Sequence, residues 1–416
     1  MTSNDHEAYV WVWLPGRSEP VVAGRLYQEG ARLAFNYGRS YLDRDDAIPL
    51  YLPELPLRRG AIAPLPGLSM SGCLRDGAPD AWGRRVVLNR LLGRPGRDTD
   101  PGQLGELTYL LNSGSDRPGA LDFQRSASEY VPRQSGGASL EQLLEAAAFV
   151  EAGKSLPPAL DQALFHGSSL GGARPKAEIE SGDLKYIAKF SSSTDTHDVV
   201  KVEYVAMRLA AELGLQVAPV QLKRVAGKNV LLVERFDRSR VGNGWARKAM
   251  VSALTLFELD EIMARYASYE TLTEIIRHRF TEPTATLREL FRRLVFNVLC
   301  GNTDDHARNH AAFWSGDSLT LTPAYDICPQ ARTGNEASQA MLIDGDRRLS
   351  NLNICRGAAK HFLLSEDGAN QIIGEQIAGI REKLPAVMEE ATLSEVDRRL
   401  LSQRMFLNPA VFESVD

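Results

Sequence analysis

The stretch from Leu290 to Asp326 does most to limit what this chain can fold into. Leu290, Leu294, Phe296, Val298 and Leu299 fall in a largely apolar helical pattern, and Gly301 stands where such a helix ends. A polar loop follows, Asn-Thr-Asp-Asp-His-Ala-Arg-Asn from 302 to 309. Phe313 and Trp314 then open an apolar strand, Gly316-Asp317 supply a turn, and Leu319 and Leu321 alternate with Thr on the way to Asp326. The expected order is helix, loop, hairpin, acid.

Phosphoryl transfer from ATP uses such a set: a carboxylate beside the attacking hydroxyl, an amide oxygen on a magnesium ion, and a second carboxylate on the metals. Asp304 and Asn309 are five residues apart, the spacing of a protein-kinase catalytic loop, and Asp326 follows a short hairpin later. Taken alone, the cluster reads equally well as a helix cap and a solvated turn. His306 and His310 are four apart, but the Glu of a His-Glu-x-x-His motif is missing, so a zinc site is not expected.

With 416 residues, 44% of them hydrophobic and 24% charged, the chain can build two or three domains with substantial cores. A net charge of -5 excludes a global basic footprint, so any DNA contact would be local or through a partner. Cys73, Cys300, Cys328 and Cys355 form no Cys-x-x-Cys pair and read as buried thiols in a reducing compartment. The N-terminus has no cationic segment before an apolar run, and no stretch approaches the length of a membrane span. A cytoplasmic protein without membrane contact is expected.

In chain order, Tyr9 to Leu14, Val21 to Tyr27 and Leu33 to Tyr37 read as a small antiparallel sheet, followed by Pro-rich loop from Ala47 to Pro66. Asp80 is placed to cap a helix beginning Ala-Trp-Gly-Arg, and Ser139 with Gln142 forms a capping-box pattern before a second helix running to Glu151. Ser168, Ser169, Gly171 and Gly172 lie in a loop that leads through Arg174-Pro175-Lys176 into alternating residues ending at Lys189. Two glycines let a backbone approach a phosphate, and Lys189 can set an ammonium on it. Alone, a glycine turn with a surface lysine is the simpler reading. Order changes this: a helix from Asp198 to Leu213, ended by Gly214, carries Glu203 fourteen residues after Lys189, as kinases pair a strand lysine with a helix glutamate. By itself Glu203 reads as an exposed helix-face acid.

Strands at Val217 to Arg224 and Asn229 to Phe236 end where a kinase hinge would offer backbone groups to adenine. From about Trp245 onward the text is mostly helical, apart from the hairpin and a less regular segment from Thr333 to Arg356. The expected fold is α+β and kinase-like with two lobes: an N-terminal α+β subdomain over 1–125, a strand-rich ATP-binding lobe over 126–237 and a helical catalytic lobe over 238–416.

The chain resembles the HipA family, the serine/threonine kinase toxins of bacterial toxin-antitoxin systems. The resemblance covers nearly its whole length. It rests on the Tyr37 region, Pro-Asp-Ala-Trp-Gly-Arg at 79–84, Ser-Leu-Gly-Gly-Ala-Arg-Pro-Lys at 169–176, Leu-Val-Glu-Arg-Phe-Asp-Arg at 232–238, Asn-Thr-Asp-Asp-His-Ala-Arg-Asn at 302–309 and Tyr-Asp-Ile at 325–327. It implies Asp304 as catalytic base, Asn309 and Asp326 on magnesium, Lys189 on the ATP phosphates, and Glu234 with Phe236 at the adenine hinge. Ser169 matches the serine that such kinases phosphorylate on themselves to silence the enzyme, with Ser168 adjacent; a dianion there would compete for the donors beside Gly171 and Gly172. It further implies an aminoacyl-tRNA synthetase as substrate, a HipB-like helix-turn-helix antitoxin as partner, and DNA contact only through that antitoxin. Asp305 doubles the acid, but only Asp304 keeps the five-residue spacing to Asn309. The rival readings are a small-molecule kinase of the same fold and a catalytically idle co-repressor that binds an antitoxin and DNA. The intact set of Asp304, Asn309, Asp326 and Lys189 speaks against the idle one.

Overall fold

The computed structural model describes residues 5–92, 100–133, 138–152, 154, 156–157, 160, 174–192, 195–332, 334 and 336–413. The chain divides into two compact units, Met1–Asp195 with Lys223–Val251 and Phe313–Asp317, and Thr196–Leu222 with Ser252–Ala312 and Ser318–Asp416.

In the first unit, β1 (Glu7–Val12), β2 (Val21–Glu29), β3 (Arg32–Tyr37) and β4 (Leu121–Gln124) form a sheet of order β3-β2-β1-β4. Trp11 and Trp13 close over Tyr130, with ring centroids 5.5 and 5.4 Å apart. A second sheet has the order β5-β6-β8-β7, from β5 (Lys176–Ser181), β6 (Leu184–Phe190), β7 (Val220–Val225) and β8 (Lys228–Glu234). β7 starts later than the expected Val217 because Pro219 has no N–H to give a ladder.

Two helices cover one face of this sheet. Asp80 caps α1 (Ala81–Leu92), its Oδ1 accepting from the Trp82 and Gly83 amides at 3.1 and 3.2 Å. Ser139 and Gln142 form the expected capping box on α2 (Leu140–Glu151). Leu143, Ala147 and Val150 of α2 join Trp82 and Val86 of α1 against Ala177, Ala188, Phe190, Val230 and Leu232. Each large side chain buried there contributes about 1.5–3 kcal/mol.

The first unit also buries charge. Arg235 and Arg238 reach back to the segment before β4. The Asp116 carboxylate accepts from Arg235 Nη1 at 3.1 Å and from Arg238 Nε and Nη2 at 2.9 and 2.6 Å, and it pairs with Lys185 as well. Asp237 chelates Arg235 at 3.0 and 2.8 Å and accepts from the Gly119 amide at 2.8 Å. Glu178 bridges Lys185 at 2.6 Å and Arg235 at 2.9 Å. From sequence alone this stretch is a strand emerging into polar, hinge-like residues; the structure buries Arg235, Asp237 and Arg238 to between 4 and 7% exposure. It also continues as a hairpin, β9 (Arg238–Val241) and β10 (Gly244–Arg247), where mostly helix was expected. Gly242 at φ +56° supplies the turn, and the buried Arg238 anchors its first strand.

The second unit holds α3 (Val199–Glu212), α4 (Tyr269–Arg279), α5 (Pro283–Cys300) and α6 (Glu366–Glu390). Twelve of the eighteen residues of α5 are buried, so it is packed on nearly every side rather than along one stripe. Pro283 starts it and Gly301, at φ +76°, ends it. A Cβ at 301 would lie 3.0 Å from the Met405 carbonyl oxygen, a second reason for glycine there. After the loop come strands β11 (Ala311–Trp314), whose last two residues are assigned to the first unit, and β12 (Leu319–Leu321). β11 begins at Ala311, so Phe313 and Trp314 end that strand rather than open it.

The buried charges give a contrast. Burial first, and the Asp116 charge second, push the Glu178 carboxyl up to about 8, while Arg238 and Arg235 overcome the burial of Asp116 and hold it well below the usual range. Glu178 is therefore protonated at neutral pH and Asp116 ionised. Asp116→Asn should cost about 3–5 kcal/mol at pH 6.5 by leaving cations uncompensated, whereas Glu178→Gln should cost under about 1 kcal/mol. Because the folded pKa of Glu178 is raised, its contribution to stability is complete below about pH 4.5 and fades as pH rises toward about 8. Urea unfolding at pH 6.5 and 8.5 checks both points; equal costs for the two variants would refute the assignment of the proton.

Candidate active site

The loop after α5 is tied at both ends. The Gly301 carbonyl accepts from the Gln330 amide at 2.9 Å, and the Thr303 carbonyl from the Ala340 amide at 3.1 Å. The side chain of Asn309 donates to the Asp304 carbonyl at 2.9 Å, closing the five-residue spacing into a ring. Tyr325 donates its hydroxyl to the Arg308 carbonyl at 2.7 Å, which fastens the Asp326 segment to the same loop. Arg293 of α5 supports that segment from beneath, donating to the Thr322 and Gln216 carbonyls at 3.0 Å each while pairing with Glu289 at 3.0 Å.

These ties bring Asp304, Asn309 and Asp326 together within the second unit. Asp304 reaches solvent and Asn309 is buried. The Asp304 carboxyl is pushed up, mainly by partial withdrawal from water, opposed by His306 and reinforced by the charges of Asp326 and Asp305. Two carboxylates close enough to disturb each other fit a divalent cation that would neutralise both. Asp326 sits at φ +59°, the left-handed region that a non-glycine residue seldom adopts and that recurs at functional sites.

The other expected residues are placed as follows. Lys189 is half-buried on β6, opposite Lys176 on β5 and Leu231 on β8. Glu234 ends β8, and Phe236 meets Phe313 edge-on at 5.8 Å, both within the first unit. Glu203 lies on α3 in the second unit and is only 3% exposed, so it is not the solvent-facing acid its single-residue reading allowed. Ser168, Ser169, Gly171 and Gly172 lie outside the described residues.

One residue not singled out from the sequence joins this set. Lys176 pairs in register with Lys189, so two lysines stand side by side on one face of the sheet, Lys176 with its ammonium 3.8 Å from Asp80. Asp80 supplies negative charge that offsets the two like charges standing opposite each other in the ladder. The signal was present: a Gly182-Asp183 turn pairs 181 with 184 and, counted outward, 176 with 189. Among the described residues, Glu270, Asp344 and His361 also approach one another, but Arg347 and Lys360 already pair with Asp344. No helix among the described residues is long and apolar enough to cross a membrane.

The fold and the acid pair define a kinase-type α+β protein. Residues 168–384 match the HipA-like C-terminal domain and residues 12–124 the HipA N-terminal domain. The chain belongs to the HipA family. It is 26% identical over 340 residues to a Sinorhizobium fredii protein named "Putative kinase Y4mE", covering 76% of each. It is 24% identical over 183 residues to the serine/threonine-protein kinase toxin HipA of Shewanella oneidensis, covering 38% of this chain and 42% of that one. In fold it is similar to the protein of a Shewanella oneidensis HipA, HipB and operator DNA complex, at a TM-score of 0.67 and 18% identity over 95% of this chain and 94% of that one.

The acid pair makes a prediction about the protein without nucleotide or metal. Removing one of two repelling charges should stabilise it, so Asp304→Asn at pH 8 should unfold about 1–2 °C higher than the parent. Differential scanning calorimetry in chelator measures this. A lower midpoint would mean that Asp304 has a stabilising partner that outweighs the repulsion.

Proposed function

We propose that this chain is an ATP- and magnesium-dependent protein serine/threonine kinase that acts as a growth-inhibiting toxin. The observation that carries the reading is the pair Asp304 and Asp326, fastened through Tyr325 and Arg308 beside Asn309. In this reading Asp304 orients a serine or threonine hydroxyl and accepts its proton as the oxygen attacks. Its raised pKa makes it a better proton acceptor than an ordinary surface carboxylate. Asn309 and Asp326 would hold magnesium, which when bound neutralises phosphate charge. Lys189, with Lys176 beside it, would hold phosphate oxygens, and Glu203, Glu234 and Phe236 would complete the nucleotide contacts.

The family membership supports the finer points of the proposal. The substrate is an aminoacyl-tRNA synthetase, and Ser169 or Ser168, in the loop carrying Gly171 and Gly172, takes the phosphate that silences the enzyme. A HipB-like antitoxin is the partner, it carries the contact with DNA, and the protein works in the cytoplasm. The likeness in fold to the protein of a HipA, HipB and operator DNA complex supports the partner.

Intact-mass spectrometry after incubation with Mg-ATP tests the chemistry. The parent chain should gain one phosphate, mapped to Ser169 or Ser168, and Asp304→Asn should gain it at least roughly 10²-fold more slowly. A chain that binds Mg-ATP but modifies only small metabolites would leave the small-molecule kinase reading. One that fails to bind Mg-ATP would leave the co-repressor reading in front.

A further inference from the structure

Beside the exposed Asp304 stands an acid that the chemistry above does not use. Asp305 is 2% exposed, and both of its carboxylate oxygens are taken. One accepts from the Tyr269 hydroxyl of α4, and the other lies 2.9 Å from His310 Nε2. A carboxylate only accepts, so His310 presents Nε2–H to it. The Tyr269 hydroxyl is also 3.4 Å from His310 Nε2, and the two rings meet edge-on at 5.5 Å. All three side chains are buried.

Each partner is itself fixed. The Tyr269 amide donates to the Leu342 carbonyl at 2.9 Å, and the His310 carbonyl accepts from the Ala253 amide at 2.8 Å. On the other side of Asp304, Asn302 is 2% exposed and donates to Asn297 Oδ1 of α5 at 3.1 Å. Asp304 therefore hangs between two buried side chains in a loop with no ladder of its own. If Asp305 moves, the backbone that aims Asp304 moves with it.

The geometry points to Asp305 as a positioning residue for phosphoryl transfer: clamped by Tyr269 and His310, it sets the direction in which Asp304 presents its carboxylate to the acceptor. This rests on Asp304 being the base. Asp305 is closed off from solvent with both oxygens taken, so its effect falls on the turnover step rather than on nucleotide affinity. A displacement of about 1 Å at a reacting group can cost on the order of 10²-fold in rate.

The test follows by intact mass the gain of phosphate on the full chain from Mg-ATP, with ADP as the other product, giving its maximal rate constant (kcat) and half-saturating ATP concentration (KM), with thermal unfolding alongside. Asp305→Asn removes the charge that both donors grip, and kcat should fall roughly 10- to 100-fold while KM for ATP stays within about twofold. Tyr269→Phe keeps the charge and deletes one donor, so it should lose kcat by about 3- to 10-fold with the same unchanged KM, which keeps the question open to measurement even where Asp305→Asn folds poorly. His310→Gln, which retains an N–H near the Nε2 position, should recover most of the kcat that His310→Ala loses. Wild-type kcat in both Asp305→Asn and Tyr269→Phe, or parallel losses of kcat, nucleotide affinity and melting temperature, would overturn the positioning role. Asp304→Asn separates the two layers: if it turns over normally, the assignment of the base fails first, and if it is inactive while Asp305→Asn is not, only the positioning role fails.

Discussion

Asp116, gripped by Arg235, Arg238 and Lys185 out of reach of water, is the contact on which the first unit depends. Buried ion pairs seldom repay their desolvation, and this one is tolerable because almost every donor has an acceptor. The Arg117 and Gly119 carbonyls take guanidinium hydrogens that Asp116, Glu178 and Asp237 do not. The consequence reaches the expected nucleotide contacts through the period of two along a strand. Arg235 and Asp237 turn into the network, so Glu234 and Phe236 are turned away from it and remain half-exposed. A change at Asp116, distant in sequence, would thus be felt at Glu234.

In the second unit α5 has a comparable role. Its buried Arg293 and Glu289 hold the chain at Gln216 and Thr322, and that second hold leads within four residues to Asp326. The left-handed backbone at Asp326 and the mutual disturbance of Asp304 and Asp326 are both unfavourable in the protein alone. They persist because Arg293, Tyr325 and Gln330 fix the segment against the loop. Both are terms that a bound cation would relieve under the proposed reading.

Local signals explain which parts were legible in the sequence. Caps and glycines act within a few residues, so Asp80, Ser139 with Gln142, and Gly301 could each be read as helix boundaries. The five-residue spacing of Asp304 and Asn309 is also local, and the structure closes it with a side-chain bond. The burial of Arg235 and Arg238 could not be read, because charged text after a strand looks like a solvated hinge until Asp116, more than a hundred residues earlier, is known to meet it. The hairpin β9-β10 was missed for the same reason, since its first residue is held by that distant contact. By itself Glu203 reads as an exposed helix-face acid, its order after Lys189 suggests a kinase-type partner, and only tertiary packing makes it a buried one. The pairing of Lys176 with Lys189 is different in kind, because counting outward from Gly182-Asp183 would have revealed it.

The doublet Asp304-Asp305 carries no local signal, beyond the spacing to Asn309, that separates its two members. Two identical side chains, one residue apart, have opposite environments: one pushed up in pKa at the edge of solvent, the other held below the usual range because His310 and Tyr269 outweigh its burial. A loop that must present an acid freely cannot brace that acid directly. Bracing has to come from a neighbour, and a neighbour buried deeply enough to brace must have every lone pair met. Tyr269 and His310 meet that requirement from two directions, and Tyr269 lies 36 residues upstream with nothing near it in sequence to announce the role. Spacing identifies the acid that faces outward. Only packing identifies the acid that holds it there.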